Sequence, residues 1–158
     1  MANGVRPDAV IDLGCGLGEI LARIRAPYRH GFDIDEGAIA AARHLHGKHC
    51  HFSLAGLGDT ARISASFKHG GGSTLMVMVN WPHSVAEEAL IDGVTQLSDS
   101  VGLKYLLIDG IHAGTLGYSY YHDDAVYSRL GKTLQRAEGA DGVRSLYLIE
   151  LAPKRSLQ

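Results

Sequence analysis

Three glycines on alternate positions follow a short apolar run and an acid: Val10-Ile11-Asp12-Leu13-Gly14-Cys15-Gly16-Leu17-Gly18-Glu19. Ile20, Leu21 and Ile24 then recur at helical spacing. The run reads as a buried strand, a tight turn and a helix. Glycines there open backbone dihedrals closed to other residues and let a ligand lie against bare main chain. A nucleotide-like cofactor sits in this way on the first crossover of a doubly wound sheet. About twenty residues on, His30-Gly31-Phe32-Asp33-Ile34-Asp35 closes a second strand, where such a fold places its ribose-binding acid. Asp33 is a carboxylate able to accept from both ribose hydroxyls. Asp35 has a plainer use, as N-cap of a helix whose apolar face holds Ile39 and Ala42, with Leu45 close by.

The spacing selects among cofactors. A dinucleotide fold uses G-x-G-x-x-G, which argues against a nicotinamide dehydrogenase here. The order D-x-G-x-G-x-G over Asp12 to Gly18 resembles motif I of the class I S-adenosylmethionine-dependent methyltransferases. Residues 31–35 match that family's G-(V/F)-D-(I/V)-(D/S) segment. The resemblance implies S-adenosyl-L-methionine as cofactor, on Asp12, Gly14, Cys15, Gly16, Gly18, Asp33, Ile34, Asp59 and Asn80. Asp59 is carried over as an acceptor for the adenine amino group. Its plain alternative is a helix N-cap.

Chemistry is expected at the C-terminal ends of the strands. Asn80-Trp81-Pro82-His83 ends the fourth strand, where amino-methyltransferases carry an N-P-P-Y-like motif. Asn80 and Pro82 match that motif, while Trp81 and His83 replace a proline and an aromatic residue. In such motifs the Asn side chain and the next backbone carbonyl accept from the target amine. His83 is a candidate proton acceptor; alternatively it is a solvated residue before a helix. Trp81 is read as a wall of the core or the substrate pocket. Asp109 and His112, at the end of the fifth strand, are a candidate base with its orienting partner; the alternative is two hydrated loop side chains. Tyr118, Tyr120, Tyr121 and His122 form a ring-rich loop suited to closing over a substrate, or to a dimer contact.

Strands and helices must alternate to position these groups. Strands are expected at 9–13, 28–33, near 50–54, at 74–79 and 103–109, and near 132–138 and 144–151. Helices are expected at 18–26 and 36–46, and after Ser84, where Ser84 with Glu87 reads as a capping box before a Leu90, Ile91, Val94, Leu97 stripe. Residues 55–73 are open, with Ile63 and Phe67 at helical spacing and a Gly70-Gly71-Gly72 turn. Gly139-Ala140-Asp141-Gly142 signals a hairpin. The expected fold is α/β and doubly wound: a mostly parallel seven-stranded sheet with an antiparallel C-terminal hairpin, in one Rossmann-like domain over 1–158.

The 158 residues are 46% hydrophobic and 20% charged, which suits one soluble domain with a core. A net charge of −2 argues against a duplex nucleic-acid partner. No apolar run suits a bilayer and no signal peptide opens the chain, so a cytoplasmic protein is expected. His44, His46, His49, Cys50 and His51 point in several directions and read as a polar strip rather than a metal site. Magnesium-dependent catechol-type relatives use acids at the fourth strand's end, where this chain has Asn80, so no metal is expected. Only residues 1–8 precede the first strand, whereas many relatives carry a helical cap there. A lid is therefore expected from the Tyr-rich loop or from a second copy in a C2 homodimer. The expected function is methylation of a nitrogen or oxygen nucleophile of a small molecule. The alternative is a cofactor-binding subunit whose partner supplies the substrate site.

Overall fold

The structure is a computed structural model and describes residues 5–69 and 71–153, so Gly70 of the expected triple-glycine turn lies outside the described residues. Seven strands form one sheet in the order β3-β2-β1-β4-β5-β7-β6. They are β1 (Ala9–Leu13), β2 (Tyr28–Asp33), β3 (His51–Leu54), β4 (Thr74–Met78), β5 (Leu103–Ile111), β6 (Gly131–Glu138) and β7 (Arg144–Leu151). β1 to β5 pair in parallel; β7 runs antiparallel to both β5 and β6. The helices are α1 (Glu19–Arg23), α2 (Glu36–His46), α3 (Thr60–Ser66), α4 (Glu87–Val101) and α5 (Asp124–Ser128), with a 3-10 turn at Pro82–Ser84.

Burial follows strand position. β1 and β4 lie at the centre and are buried at every residue, as apolar runs of parallel strands covered on both faces require. β6 is the sheet edge and its side chains are exposed, apart from the start of the strand. One core, with Ile11, Phe32, Met76, Leu90, Val94, Leu97, Ile108 and Tyr127, lies under α3, α4 and α5. A second, with Val10, Leu21, Ile39, Phe52 and Val77, lies under α1 and α2. No helix among the described residues is long and apolar enough to cross a membrane.

Several boundaries depart from expectation. α1 spans five residues rather than 18–26. Gly18 precedes it at φ 81, and Ile24 is already extended at φ −80 and ψ 130. Pro27 also disfavours helix at the residue before it. The Ser84–Glu87 capping box does not form: α4 begins after Ala86 without a side-chain cap, and Ser84 Oγ donates to the Trp81 carbonyl at 2.7 Å. The undecided stretch holds α3, whose Ile63 is buried. β5 runs two residues further, to Ile111, because β7 pairs with it up to Arg144. α5 begins at an Asp123 cap whose carboxylate accepts from Ala125 and Val126 N–H groups at 2.9 and 3.3 Å. The expected Asp35 cap of α2 is present, accepting from Ala38 N–H at 3.0 Å.

Candidate active site

The strand order reverses between β1 and β4, and the loops leaving their C-terminal ends diverge there into a crevice. A cavity of about 440 Å³ opens at that point. Leu13, Gly14, Asp33, Ile34 and the Ala55–Leu57 turn line one side, and Trp81, Ser84 and Val85 the other. Its volume lies within the about 300–1,000 Å³ common for small-molecule sites.

The three loop glycines serve three different neighbours. A Cβ on Gly14 would lie 2.2 Å from Trp81 Nε1, so the indole fills the direction a side chain would take there. Trp81 Nε1 also donates to the Leu13 carbonyl at 2.6 Å, which fixes the ring across the crevice. A Cβ on Gly18 would lie 2.8 Å from Phe52, so this glycine serves core packing. Gly16 alone faces open space: its Cβ would meet nothing within 4 Å. Its N–H donates to Asp33 Oδ2 at 2.8 Å, and Asp35 N–H donates to Asp33 Oδ1 at 2.9 Å. Asp33 therefore ties the glycine loop to the end of β2. Ile34 beside it is 79% exposed and lines the cavity, as an apolar wall does for a planar ring.

Asp12 is 3% exposed, and its Oδ2 has no partner. Burial, with the nearby Asp33 carboxylate, pushes it up to about 7 against a backbone contact from Leu21. Cys15 is buried in the loop and its thiol is pushed up to about 12, chiefly by burial. Asp59 stands at the N-cap position of α3, as its plainer reading expects, but its carboxylate accepts from Gly56 N–H at 2.9 Å, on the turn that walls the cavity, and not from the helix.

At the end of β4, Asn80 has φ 77, the single positive value outside glycine among the described residues. Asparagine tolerates that region better than most residues. Asn80 N–H donates to Asp109 Oδ2 at 3.0 Å. Arg144 Nη1 donates to the same Oδ2 at 3.0 Å and to Asn80 Oδ1, while Arg144 Nε donates to Asp141. Asp109 is 2% exposed, and burial raises it above the usual carboxylate range against those donors. His83 stands beside this group, with Tyr118 edge-on to its ring at 4.6 Å and its Nδ1 enclosed without a partner.

The Asp109–His112 pair does not form. Asp109 shares a face with Leu146 and Arg144, whereas Gly110 pairs with Ser145 on the other. His112 Nε2 meets Ser145 Oγ at 2.9 Å and Glu138 at 3.1 Å instead. The Tyr-rich loop is pinned to the turn after β4. His122 is 3% exposed, and its Nε2 donates to the Pro82 and Val85 carbonyls at 3.2 and 3.0 Å, which sets its tautomer. Tyr120 N–H donates to the His83 carbonyl at 3.0 Å. His44, His49 and His51 are exposed, and among the described residues no three metal-ligating side chains converge.

Arg144 is the site residue that sequence reading missed. Its signal was a lone cation sharing an alternating strand face with Leu146 and Leu148. His122, expected as one ring of the loop, is a buried anchor.

No family model and no curated protein sequence matches the chain. Solved structures do. N-methyltransferase NodS from Bradyrhizobium japonicum WM9, in complex with S-adenosyl-L-homocysteine, superposes at a TM-score of 0.68, with 11% identity over 94% of this chain and 80% of that one. Magnesium protoporphyrin IX methyltransferase from Synechocystis PCC 6803, with bound S-adenosylmethionine, gives 0.65 and 14% over 94% and 72%. TnmH gives 0.67 and 20% over 95% of this chain, which spans about half (51%) of TnmH. Strand order, antiparallel hairpin and these superpositions agree: the chain has the fold of the class I S-adenosylmethionine-dependent methyltransferases.

Proposed function

We propose that this chain is an S-adenosylmethionine-dependent methyltransferase acting on a nitrogen or oxygen nucleophile of a small molecule. The observation that carries this reading is the cavity at the β1–β4 reversal, with Asp33, Ile34 and the open side of Gly16 on it or beside it. These residues fit the cofactor. Asp33 and Ile34 would hold the ribose and the adenine edge, beside the Ala55–Leu57 turn. Gly16 leaves a cradle that a Cβ would fill, and Asp12 Oδ2 is a buried acceptor still in need of a donor. When bound, S-adenosylmethionine supplies a methyl group already activated on a sulfonium. The chain's own task is then to exclude water and hold the nucleophile in line, a matter of proximity and orientation. Trp81 closes one wall, and the Asn80–Asp109–Arg144 group begins at the residue before it, at the end of β4.

Calorimetric titration with S-adenosylmethionine tests the reading. Wild-type protein should bind it, and Gly16→Val should not, because a branched side chain at φ +51 fills the cradle. A reduced nicotinamide should give no heat. Equal affinity of Gly16→Val and wild type would overturn the assignment.

A further inference from the structure

At the turn after β4 two acceptors are already engaged, whereas two side-chain N–H groups have no partner among the described residues. An amine held in the manner of an N-P-P-Y motif would need two acceptors, the Asn80 side-chain oxygen and the carbonyl of the next residue. Asn80 Oδ1 already accepts from Arg144 Nη1. The Trp81 carbonyl already accepts from Ser84 N–H at 2.9 Å and Ser84 Oγ at 2.7 Å. Arginine only donates, so its contact fixes which end of the Asn80 amide faces it. Asn80 Nδ2 is therefore the outward end, and neither it nor Arg144 Nη2 has a partner among the described residues. The remaining acceptor of the group, Asp109 Oδ1, is enclosed and without a partner.

Bases are equally scarce. Of the two candidate bases, His112 lies with Ser145 and Glu138 on the other sheet face, away from Asp109, its expected orienting partner, which is itself enclosed. Only His83 remains in the turn after β4. A nucleophile that arrives already deprotonated suits this arrangement.

Resting on the methyltransferase reading above, we propose that the methyl acceptor is a carboxylate oxygen of a small organic acid, oriented by the free N–H groups of Asn80 and Arg144. In the transfer, a carboxylate lone pair forms the new C–O bond as the methyl carbon's bond to sulfur breaks, and sulfur keeps that pair. The products are a methyl ester and a neutral thioether, and no proton is shed. Arg144 already faces Asp109 and Asp141, so it contributes directed N–H bonds more than net charge.

Proton–nitrogen correlation spectra test this directly. Asn80 and Asn3 are the chain's two asparagines, so the Asn80 side-chain amide is assigned by its loss in Asn80→Asp. Benzoate and benzylamine serve as probes, each with and without S-adenosylhomocysteine. Benzoate should shift the Asn80 amide pair saturably, in both states, and benzylamine should leave it unmoved. Asn80→Asp keeps an acceptor toward Arg144 but replaces the outward donor by an acceptor. It should weaken benzoate at least tenfold and strengthen benzylamine, followed by fluorescence of Trp81, the single tryptophan. A shift by benzylamine alone, or by neither probe, would overturn the proposal. The benzoate arm without cofactor reads the donor pair by itself. Absence of any S-adenosylhomocysteine binding would instead defeat the cofactor reading.

Discussion

Asp33 joins two halves of the candidate cofactor site, since one carboxylate oxygen takes the Gly16 N–H and the other the Asp35 N–H. Asp33→Ala leaves both donors short and removes the proposed ribose acceptor. It should weaken S-adenosylmethionine binding by roughly 1–3 kcal/mol, the cost of leaving polar partners unmade, as calorimetry would read. Asp12 gives a pH signature. Its carboxyl is raised from 3.8 to about 7, with burial as the main cause. The folded state thus holds a proton that the unfolded chain has lost. The contribution is fully present below pH 4 and fades as pH rises through 7, at no more than about 1.4 kcal/mol per pH unit. Asp12→Asn, with no proton to lose, should therefore gain stability relative to wild type between pH 5 and pH 8 in urea melts. A constant difference across that window would refute the assignment.

Elements carry their own tests. His30 on β2 is 4% exposed, stacks on Phe32 at 4.2 Å, and reaches Ser53 Oγ on β3 at 2.9 Å. Burial, with His51 and Arg43 nearby, lowers it to about 4 from 6.5. It is neutral in the folded state, so stability should fall as pH drops from about 6.5 toward 4. Asp12 acts in the opposite sense over that range, so single variants separate the two. His30→Gln should flatten the acid limb of the stability profile, an effect that thermal melts at stepped pH would display. On the other face, α4 presents Leu90, Val94 and Leu97 to the core, all fully buried. Leu97→Ala should cost about 2–5 kcal/mol through lost contacts and a residual cavity. A loss under 1 kcal/mol in urea denaturation would mean that this face of α4 is not packed as described.

The whole molecule couples four loops to one cavity, because the walls come from the ends of β1, β2, β3 and β4. A ligand that bridges them stabilises the fold by mass action. At about one hundred times its dissociation constant, S-adenosylhomocysteine should add about 2.7 kcal/mol. For a domain of this size that corresponds to a rise in Tm of roughly 5–10 °C. A thermal scan without any shift at saturating ligand would contradict a cofactor seated across these strands.

Local signals in the sequence determined β1, β2 and α2 residue for residue, because each rests on an apolar run or on a cap such as Asp35. The acid and glycine spacing likewise determined where the glycine loop between β1 and α1 stands. Tertiary structure decided what each of those residues faces. Gly14 and Gly18 look alike in the chain, yet one accommodates Trp81 and the other Phe52, from elements 30 to 70 residues away. Asp109 and His112 are neighbours in sequence and are parted by the alternation of a strand. β5 continues past its expected end because β7 pairs there, and that same pairing carries Arg144 to the end of β4. Spacing along the chain encodes period and turn chemistry, whereas the partner of each side chain depends on register between distant strands, which forms only when the sheet closes.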